Sequence, residues 1–516
     1  MFRLSLVVAV FATALALPAS AQRPPIPVRD TVVAEAAPLP VPKEMSSVTE
    51  HTIRIDGQVV PYRATAATML LRNGRGEPIG SLYYTAYTRT DVKDVSRRPL
   101  AFLYNGGPGS ASAWLHMGAF GPRRIVTADA APTPPAPYQW VDNASSLIDV
   151  ADLVFIDPIG TGFSRVVGKG TGRDFWGIDE DAASLADFIS HYVTQNARWN
   201  SPKYLIGESY GTTRSAVLVN RLQRREGMDF NGVVLISAVL DFETLAFAPG
   251  HDIGYALYLP SYAATAAYHG LIPKPQNLAT FLDEVRRYAL GPYLAALSKG
   301  GSLSDADRAT TLQQLSRYTG LSEDYLAKAD LRVNLGQFRA ELQRRQGLAT
   351  GRLDSRFDGP MGDQLAETAD YDPQSTAISS AYTAAINSYL RDDLKFTTDE
   401  RYSLSGGTPG WNWTREGQAG GGGGGRGGAP YVGSDLAQAL LTNPNLRVQI
   451  ENGYYDLATP FFAIEYTIDH LAVPATARAH VEQRYYEAGH MMYVLEPELV
   501  KLKANIARLI AATSGR

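Results

Sequence analysis

Cysteine is absent from this 516-residue chain. No disulfide can brace it, and thiolate zinc sites and cysteine nucleophiles are excluded. Histidine is scarce at eight residues, none in a His-Glu-x-x-His spacing, so no metal centre is expected. An excess of one charge is also missing: 48 Lys and Arg against 52 Asp and Glu leave a net −4. No basic stretch is interleaved with aromatics, so neither nucleic acid nor an anionic membrane is expected as a partner. Apart from the N-terminal segment, no run approaches the ~20 apolar residues of a transmembrane helix. What remains is ordinary globular composition, 45% hydrophobic and 19% charged. The length suits about two to four domains, and equally one enzyme core with a large insertion.

The order along the chain favours the second arrangement. Arg3, the apolar run Leu4–Leu17 and Ala19-Ser20-Ala21 read as a secretory signal peptide over 1–21, implying export to the periplasm or the exterior. A retained anchor is the alternative, although the run is short for a bilayer. Residues 22–45, rich in Pro and Ala, suit an extended or disordered lead-in. From 46 to 240 a core begins. Alternating segments around Asp56-Gly57 and over Ser81–Tyr87 predict antiparallel hairpins. Unbroken apolar runs follow at Leu100–Tyr104, Leu153–Ile156, Tyr204–Ile206 and Val233–Ile236, with helical patterns over Asp179–Gln195 and Thr212–Glu226. That succession predicts a mostly parallel sheet with helices on its faces.

Between 241 and 430 the strand signal disappears. Helical periodicity over Leu278–Leu290, Asp305–Tyr318, Leu335–Gln346 and Ser375–Leu394 predicts a helical cap insertion, ending in a flexible loop at Gly420–Gly428. The core resumes over 431–516 with strands at Leu446–Ile450 and Ala479–Tyr486 and a last helix at Pro497–Ala512.

The chemistry gathers after the strands. Gly207-Glu208-Ser209-Tyr210-Gly211 lies between a strand and a helix, the context of a nucleophile elbow that holds Ser209 clear of a strained turn. A serine nucleophile needs a base and a group to orient that base, in chain order Ser, acid, His. Asp456 and His490 each follow a strand and suit those roles, whereas His470, in a helical run, and His480, at a strand start, do not. A turn-capping Asp and a surface His are the plainer alternatives for either residue alone. Two N–H groups should meet an oxyanion, that of Tyr210 and that of Gly107 in Asn105-Gly-Gly-Pro-Gly109. Asn143-Ala-Ser145 and Asn412-Trp-Thr414 fit the N-glycosylation pattern.

Four ordered blocks, Tyr104-Asn-Gly-Gly-Pro-Gly-Ser110, Phe155-Ile-Asp-Pro-Ile-Gly-Thr-Gly-Phe-Ser164, Gly207–Gly211 and Ala488-Gly-His-Met491, resemble the serine carboxypeptidases of the α/β-hydrolase fold. Gly121-Pro122, Trp140 and Asn143 add to the likeness, which spans about half the chain and barely touches the cap. The resemblance implies an α/β-hydrolase fold with a mostly parallel central sheet, N-terminal antiparallel hairpins and a helical cap. It also implies cofactor-free release of C-terminal residues from peptides through an acyl-enzyme, with Asn105 and Glu208 binding the terminal carboxylate. Two carboxyl groups can share a proton but not a pair of charges, so Glu208 should bind when protonated. Three features depart from the family. The partner Glu expected just before Gly121-Pro122 is replaced by Gly118-Ala119-Phe120, Ser110 stands for a customary Cys, and Tyr104 for a customary Trp. An esterase or acyltransferase on the same triad is the first alternative, and a non-catalytic binding protein the second.

Overall fold

Strands without polar alternation need cover on both faces, and the sheet at the centre of the computed structural model has it. The structure describes residues 38–415 and 429–515. The expected signal peptide, the lead-in up to residue 37 and the Gly420–Gly428 loop lie outside the described residues.

Three long strands open the sheet: β1 (Ser46–Ile55), β2 (Gln58–Arg72) and β3 (Pro78–Arg89). They pair antiparallel, β1 to β2 across the Asp56-Gly57 turn and β2 to β3. The six that follow are β4 (Leu100–Tyr104), β5 (Asp152–Ile156), β6 (Lys203–Glu208), β7 (Gly232–Ile236), β8 (Arg447–Gly453) and β9 (Val481–Tyr486). They run parallel to one another, giving the order β1-β2-β3-β5-β4-β6-β7-β8-β9. Strand β5 is antiparallel to β3, which joins the two halves.

Alternation within the parallel strands sorts side chains into two cores. Leu100, Phe102, Tyr104, Val154, Ile156, Leu205, Val233 and Leu235 pack with helices α1 (Ile178–Gln195) and α2 (Tyr210–Glu226). Their neighbours Ala101, Leu103, Leu153, Phe155, Ile206 and Val234 face the opposite side, where the last helix, Glu496–Thr513, lies.

The segment between β7 and β8 carries α3 (Ile253–Tyr268), α4 (Leu278–Tyr288), α5 (Leu294–Lys299), α6 (Asp305–Thr319), α7 (Glu323–Lys328), α8 (Leu335–Glu341) and α9 (Pro373–Ser388). A third apolar cluster holds most of them together. One expectation needs correction: this segment is not free of strands, because Leu348–Thr350 and Asp358–Pro360 form an antiparallel ribbon. Three-residue strands are too short to show period-two alternation. After the cap come α10 (Gly433–Thr442), α11 (Phe461–Asp469), α12 (Ala475–Arg478) and α13 (Glu496–Thr513). Among the described residues, no helix is long and apolar enough to cross a membrane.

Below the sheet, Asp152 at the start of β5 accepts from Arg98 Nε at 3.2 Å and from Arg198 Nη1 at 2.6 Å, all three side chains being buried. Removing the carboxylate would strand two buried guanidinium groups. Asp152→Ala should therefore lower the unfolding free energy by about 3–5 kcal/mol in a urea titration. A loss below about 1 kcal/mol, the level of an exposed pair, would show that the cluster is dispensable.

Candidate active site

The turn from β6 into α2 is strained where the sequence requires it. Ser209 sits at φ 60°, ψ −130°, a conformation that costs a non-glycine residue about 1–3 kcal/mol. Glycine surrounds it because backbone passes too close for anything larger. A Cβ at Gly207 would lie 2.3 Å from the Gly211 carbonyl oxygen, and one at Gly106 would lie 2.3 Å from the Tyr210 nitrogen. Ser209 is partly open, between the buried Glu208 and Tyr210. Tyr210 opens α2, so its N–H belongs to the first turn, where helices leave donors without intrahelical acceptors.

The loops at the carboxyl ends of β4, β6, β8 and β9 converge here, as ligand sites on open parallel sheets do. Asn105, Gly106, Gly107, Trp114, Glu208, Ser209, Thr459, His490 and Met491 line one cavity of about 410 Å³. A larger hollow of about 820 Å³ near Trp176 and Asn412 has no serine, histidine or aspartate in its lining. Gly107 is at φ 102°, and a Cβ there would lie 2.8 Å from the Gly109 and Ser110 nitrogens. Its own loop therefore requires glycine.

His490 and Asp456 meet behind the serine. Nδ1 of His490 lies 2.7 Å from Asp456 Oδ2. Facing a carboxylate, Nδ1 carries the hydrogen and donates it, which leaves Nε2 as the free acceptor. Asp456 Oδ1 accepts from the Ala458 and Thr459 N–H groups at 2.7 and 2.9 Å. Thr459 also donates its hydroxyl to Asp456 Oδ2 at 2.8 Å. Burial alone would pull the imidazolium pKa of His490 down, but Asp456 overrides it and the net shift is upward. His470 bonds the Tyr466 carbonyl and His480 lies beside Arg447; neither lines the cavity.

A segment of the cap holds both loops. The Leu457 N–H donates to the Arg352 carbonyl at 3.1 Å, the His490 N–H to the Leu353 carbonyl at 2.7 Å, and the Ser355 N–H to the Tyr455 carbonyl at 2.9 Å. Asp354, itself paired with Arg356, accepts from the Gly489 N–H at 3.2 Å. A Cβ on Gly489 would come within 2.4 Å of that aspartate.

On the other side of Ser209, Asn105 donates through Nδ2 to Glu208 Oε1 at 2.8 Å and accepts from the Leu115 N–H at 3.0 Å. Arg214 of α2 donates to the Asn105 carbonyl at 2.6 Å, is paired with Asp181, and is fully buried between the Tyr104 and Tyr210 rings. Glu208 Oε2 is buried without a formed hydrogen bond. The Tyr493 hydroxyl stands beside it, also buried without a formed hydrogen bond. Burial pushes the Glu208 pKa up, against His490, Tyr493 and Asn105, which all favour the carboxylate, and leaves it at about 7. Tyr493 and Tyr382 also crowd Gly118, where a Cβ would lie 2.7 and 2.2 Å from them. Phenol rings thus fill the neighbourhood where the second Glu of the family was expected.

Of the residues predicted from sequence for the site, Asn105, Gly107, Glu208, Ser209 and His490 line this cavity, while Tyr210 follows Ser209 in the chain and Asp456 is bonded to His490. Thr459, Arg214, Asp354 and Tyr493 were missed. Thr459 alone had a local signal, a hydroxyl three residues after an aspartate in a turn. One pattern is overturned: Asn143 is buried and spends Nδ2 on the Ala119 and Gly121 carbonyls at 2.8 and 2.9 Å, so it is no glycan acceptor in the folded chain.

Comparison with known proteins gives this chain relatives. The sequence profile described as serine carboxypeptidase matches residues 75–272, a span holding Asn105, Gly107, Glu208, Ser209 and Tyr210 but neither Asp456 nor His490. The pheromone-processing carboxypeptidase of Cryptococcus gattii is 26% identical over 189 residues, 35% of this chain and 26% of that protein. The human retinoid-inducible serine carboxypeptidase is 30% identical over 138 residues, 26% of this chain and 27% of that protein. The chain thus aligns with only about a quarter of the length of these relatives. The solved prohormone-processing carboxypeptidase of Saccharomyces cerevisiae shares the fold, with a TM-score of 0.52 at 16% identity over 87% of this chain and 91% of that one.

The raised pKa has a measurable consequence. Glu208 holds its proton in the fold to about pH 7 but releases it near 4.5 when unfolded. Between those values the native state binds the extra proton, so wild-type stability falls as pH rises relative to Glu208→Gln. Urea midpoints of the two proteins should diverge in favour of Glu208→Gln across that window and run parallel above it. Parallel midpoints throughout would mean that Glu208 titrates normally. Over residues 75–272, the chain is similar to the serine carboxypeptidase family.

Proposed function

We propose that this protein is a serine carboxypeptidase that removes C-terminal residues from peptides through an acyl-enzyme. One observation carries the reading: the Asn105–Glu208 hydrogen bond and the His490–Asp456 pair flank Ser209 in a single cavity. A triad alone serves any acyl transfer. A carboxyl group on the residue before the nucleophile, bonded to the Asn105 amide, suits a substrate that ends in a carboxylate.

In this mechanism Ser209 Oγ attacks the last peptide carbonyl while His490 Nε2 takes its proton. The imidazolium is stabilised by Asp456, which does not itself become protonated. The oxyanion accepts from the Gly107 and Tyr210 N–H groups. The C–N bond breaks, His490 returns the proton to the departing amino group, and water then hydrolyses the ester by the same route in reverse. Asn105 Nδ2 and a protonated Glu208 donate to the terminal carboxylate. No cofactor enters any step. Export, predicted from the first residues, would place the reaction outside the cytoplasm.

Chemistry wants a neutral His490, whereas binding wants a neutral Glu208. The two charges favour each other, so the active form is one of two ways of placing a single proton on the pair.

For the wild type, kcat/KM on a blocked peptide acid should exceed that on its C-terminal amide by at least about 100-fold, because the amide leaves buried polar groups unpaired. The rate on the acid should fall as pH rises past Glu208's pKa of about 7. Glu208→Gln should abolish that alkaline fall and, with one anion gone from beside His490, move the acid limb to lower pH. Ser209→Ala should release no amino acid. Equal rates on acid and amide, or turnover of esters alone, would assign the same triad to a general esterase or acyltransferase.

A further inference from the structure

Three titratable side chains line the catalytic cavity: Glu208, His490 and Arg352. The first two have roles in the proposed reaction. Arg352 has none, although its position is well fixed. Its N–H donates to Asp372 Oδ1 at 2.7 Å, and its carbonyl accepts from Leu457 at 3.1 Å in the loop that presents Asp456.

The side chain, by contrast, is uncommitted. Three neighbouring arginines of the cap are occupied: Arg356 by Asp354 and Asp129, Arg344 by Glu341, and Arg339 by the Thr350 and Tyr371 carbonyls. No carboxylate or carbonyl among the described residues takes the Arg352 guanidinium, and the residue is exposed to the cavity. Its charge reaches the reaction centre, where it opposes protonation of His490.

The rest of the lining is neutral. Trp114, Leu353, Ile378, Ala458 and Met491 are apolar, and Ser110, Ser375, Ser379 and Ser405 contribute hydroxyls. Below Glu208's pKa of about 7, no anion remains in the lining to balance the arginine. An unpaired guanidinium on a fixed stretch of backbone favours a carboxylate, which it can grip through two N–H groups at once. The substrate's terminal carboxylate is already provided for by Asn105 and Glu208, which leaves a side-chain carboxylate.

We propose that Arg352 is a specificity residue that selects peptides bearing an acidic side chain on one of the two residues flanking the scissile bond. This rests on the carboxypeptidase reading and adds a substrate class to it. The aliphatic part of a glutamate would lie along the apolar lining while its carboxylate meets the guanidinium. An isosteric glutamine would keep the packing and lose the ion pair.

The experiment compares kcat and KM for four N-blocked peptide acids ending in Ala-Glu, Ala-Gln, Glu-Ala and Gln-Ala, on the wild type, Arg352→Gln and Arg352→Lys. The wild type should prefer Glu over Gln by about tenfold at one of the two positions, the scale of a charge-assisted hydrogen bond discounted for exposure. The difference should reside mainly in KM. Arg352→Gln should bring the pair to parity while preserving hydrolysis of the glutamine peptide, and Arg352→Lys should retain part of the preference. Equal wild-type turnover of Glu and Gln peptides at both positions would overturn the role of Arg352 and leave the carboxypeptidase intact. So would a preference that survives in Arg352→Gln. No release from any of the four peptides would overturn the carboxypeptidase reading and this inference with it.

Discussion

Three backbone hydrogen bonds and one carboxylate contact from the cap segment Arg352–Ser355 fix the geometry on which the site depends. The loops carrying Asp456 and His490 leave neighbouring parallel strands, β8 and β9, and parallel pairing alone does not set the course of a loop beyond the last pair. The cap segment bonds to both loops and so locks their relative height. The buried pair Asp354–Arg356 stiffens the segment in turn. The closeness of Asp354 to Gly489 explains the glycine before the histidine: the anchoring aspartate occupies the space a side chain would need.

Buried charge is handled alike on the other side of the nucleophile. Arg214 is fully buried in α2, neutralised by Asp181 and stacked between Tyr104 and Tyr210. Its remaining donor reaches the Asn105 carbonyl. Truncating one member of such a cluster costs far more than the intact pair contributes. The cluster therefore acts as a rigid backing for Asn105. Tyr104, unusual for the family at its position, fits the arrangement because its hydroxyl bonds Ser215, which bonds the Gly211 carbonyl.

The sequence was most legible where a local rule bound it. Unbroken apolar strands, the hairpins around Asp56-Gly57 and the amphipathic helices α1 and α2 all follow from short-range patterning. The elbow at Ser209 and the post-strand positions of Asp456 and His490 follow from where chemistry sits on a parallel sheet. Helix α3 escaped because it is apolar on nearly every side and contains Pro260, so it has no stripe for periodicity to detect. The ribbon at Leu348–Thr350 and Asp358–Pro360 escaped by its brevity, although it frames the residues that clamp the site. Asp354, Arg214 and Tyr493 act through partners distant in sequence, Asp354 on the Gly489 N–H and Tyr493 on Glu208 among them. Only the assembled fold brings such partners together.

The parallel order of the strands also bears on when the molecule can begin to work. The elbow is made early, in β6, while the loops bearing Asp456 and His490 belong to the last two strands, with the whole cap encoded between them. A growing polypeptide can complete β4, β5, β6 and β7 and still have no functioning centre. In the proposed reaction, the serine meets its proton acceptor only when β9 takes its place beside β8 in the sheet. Under that proposal, chain order acts as a built-in delay on the assembly of the centre.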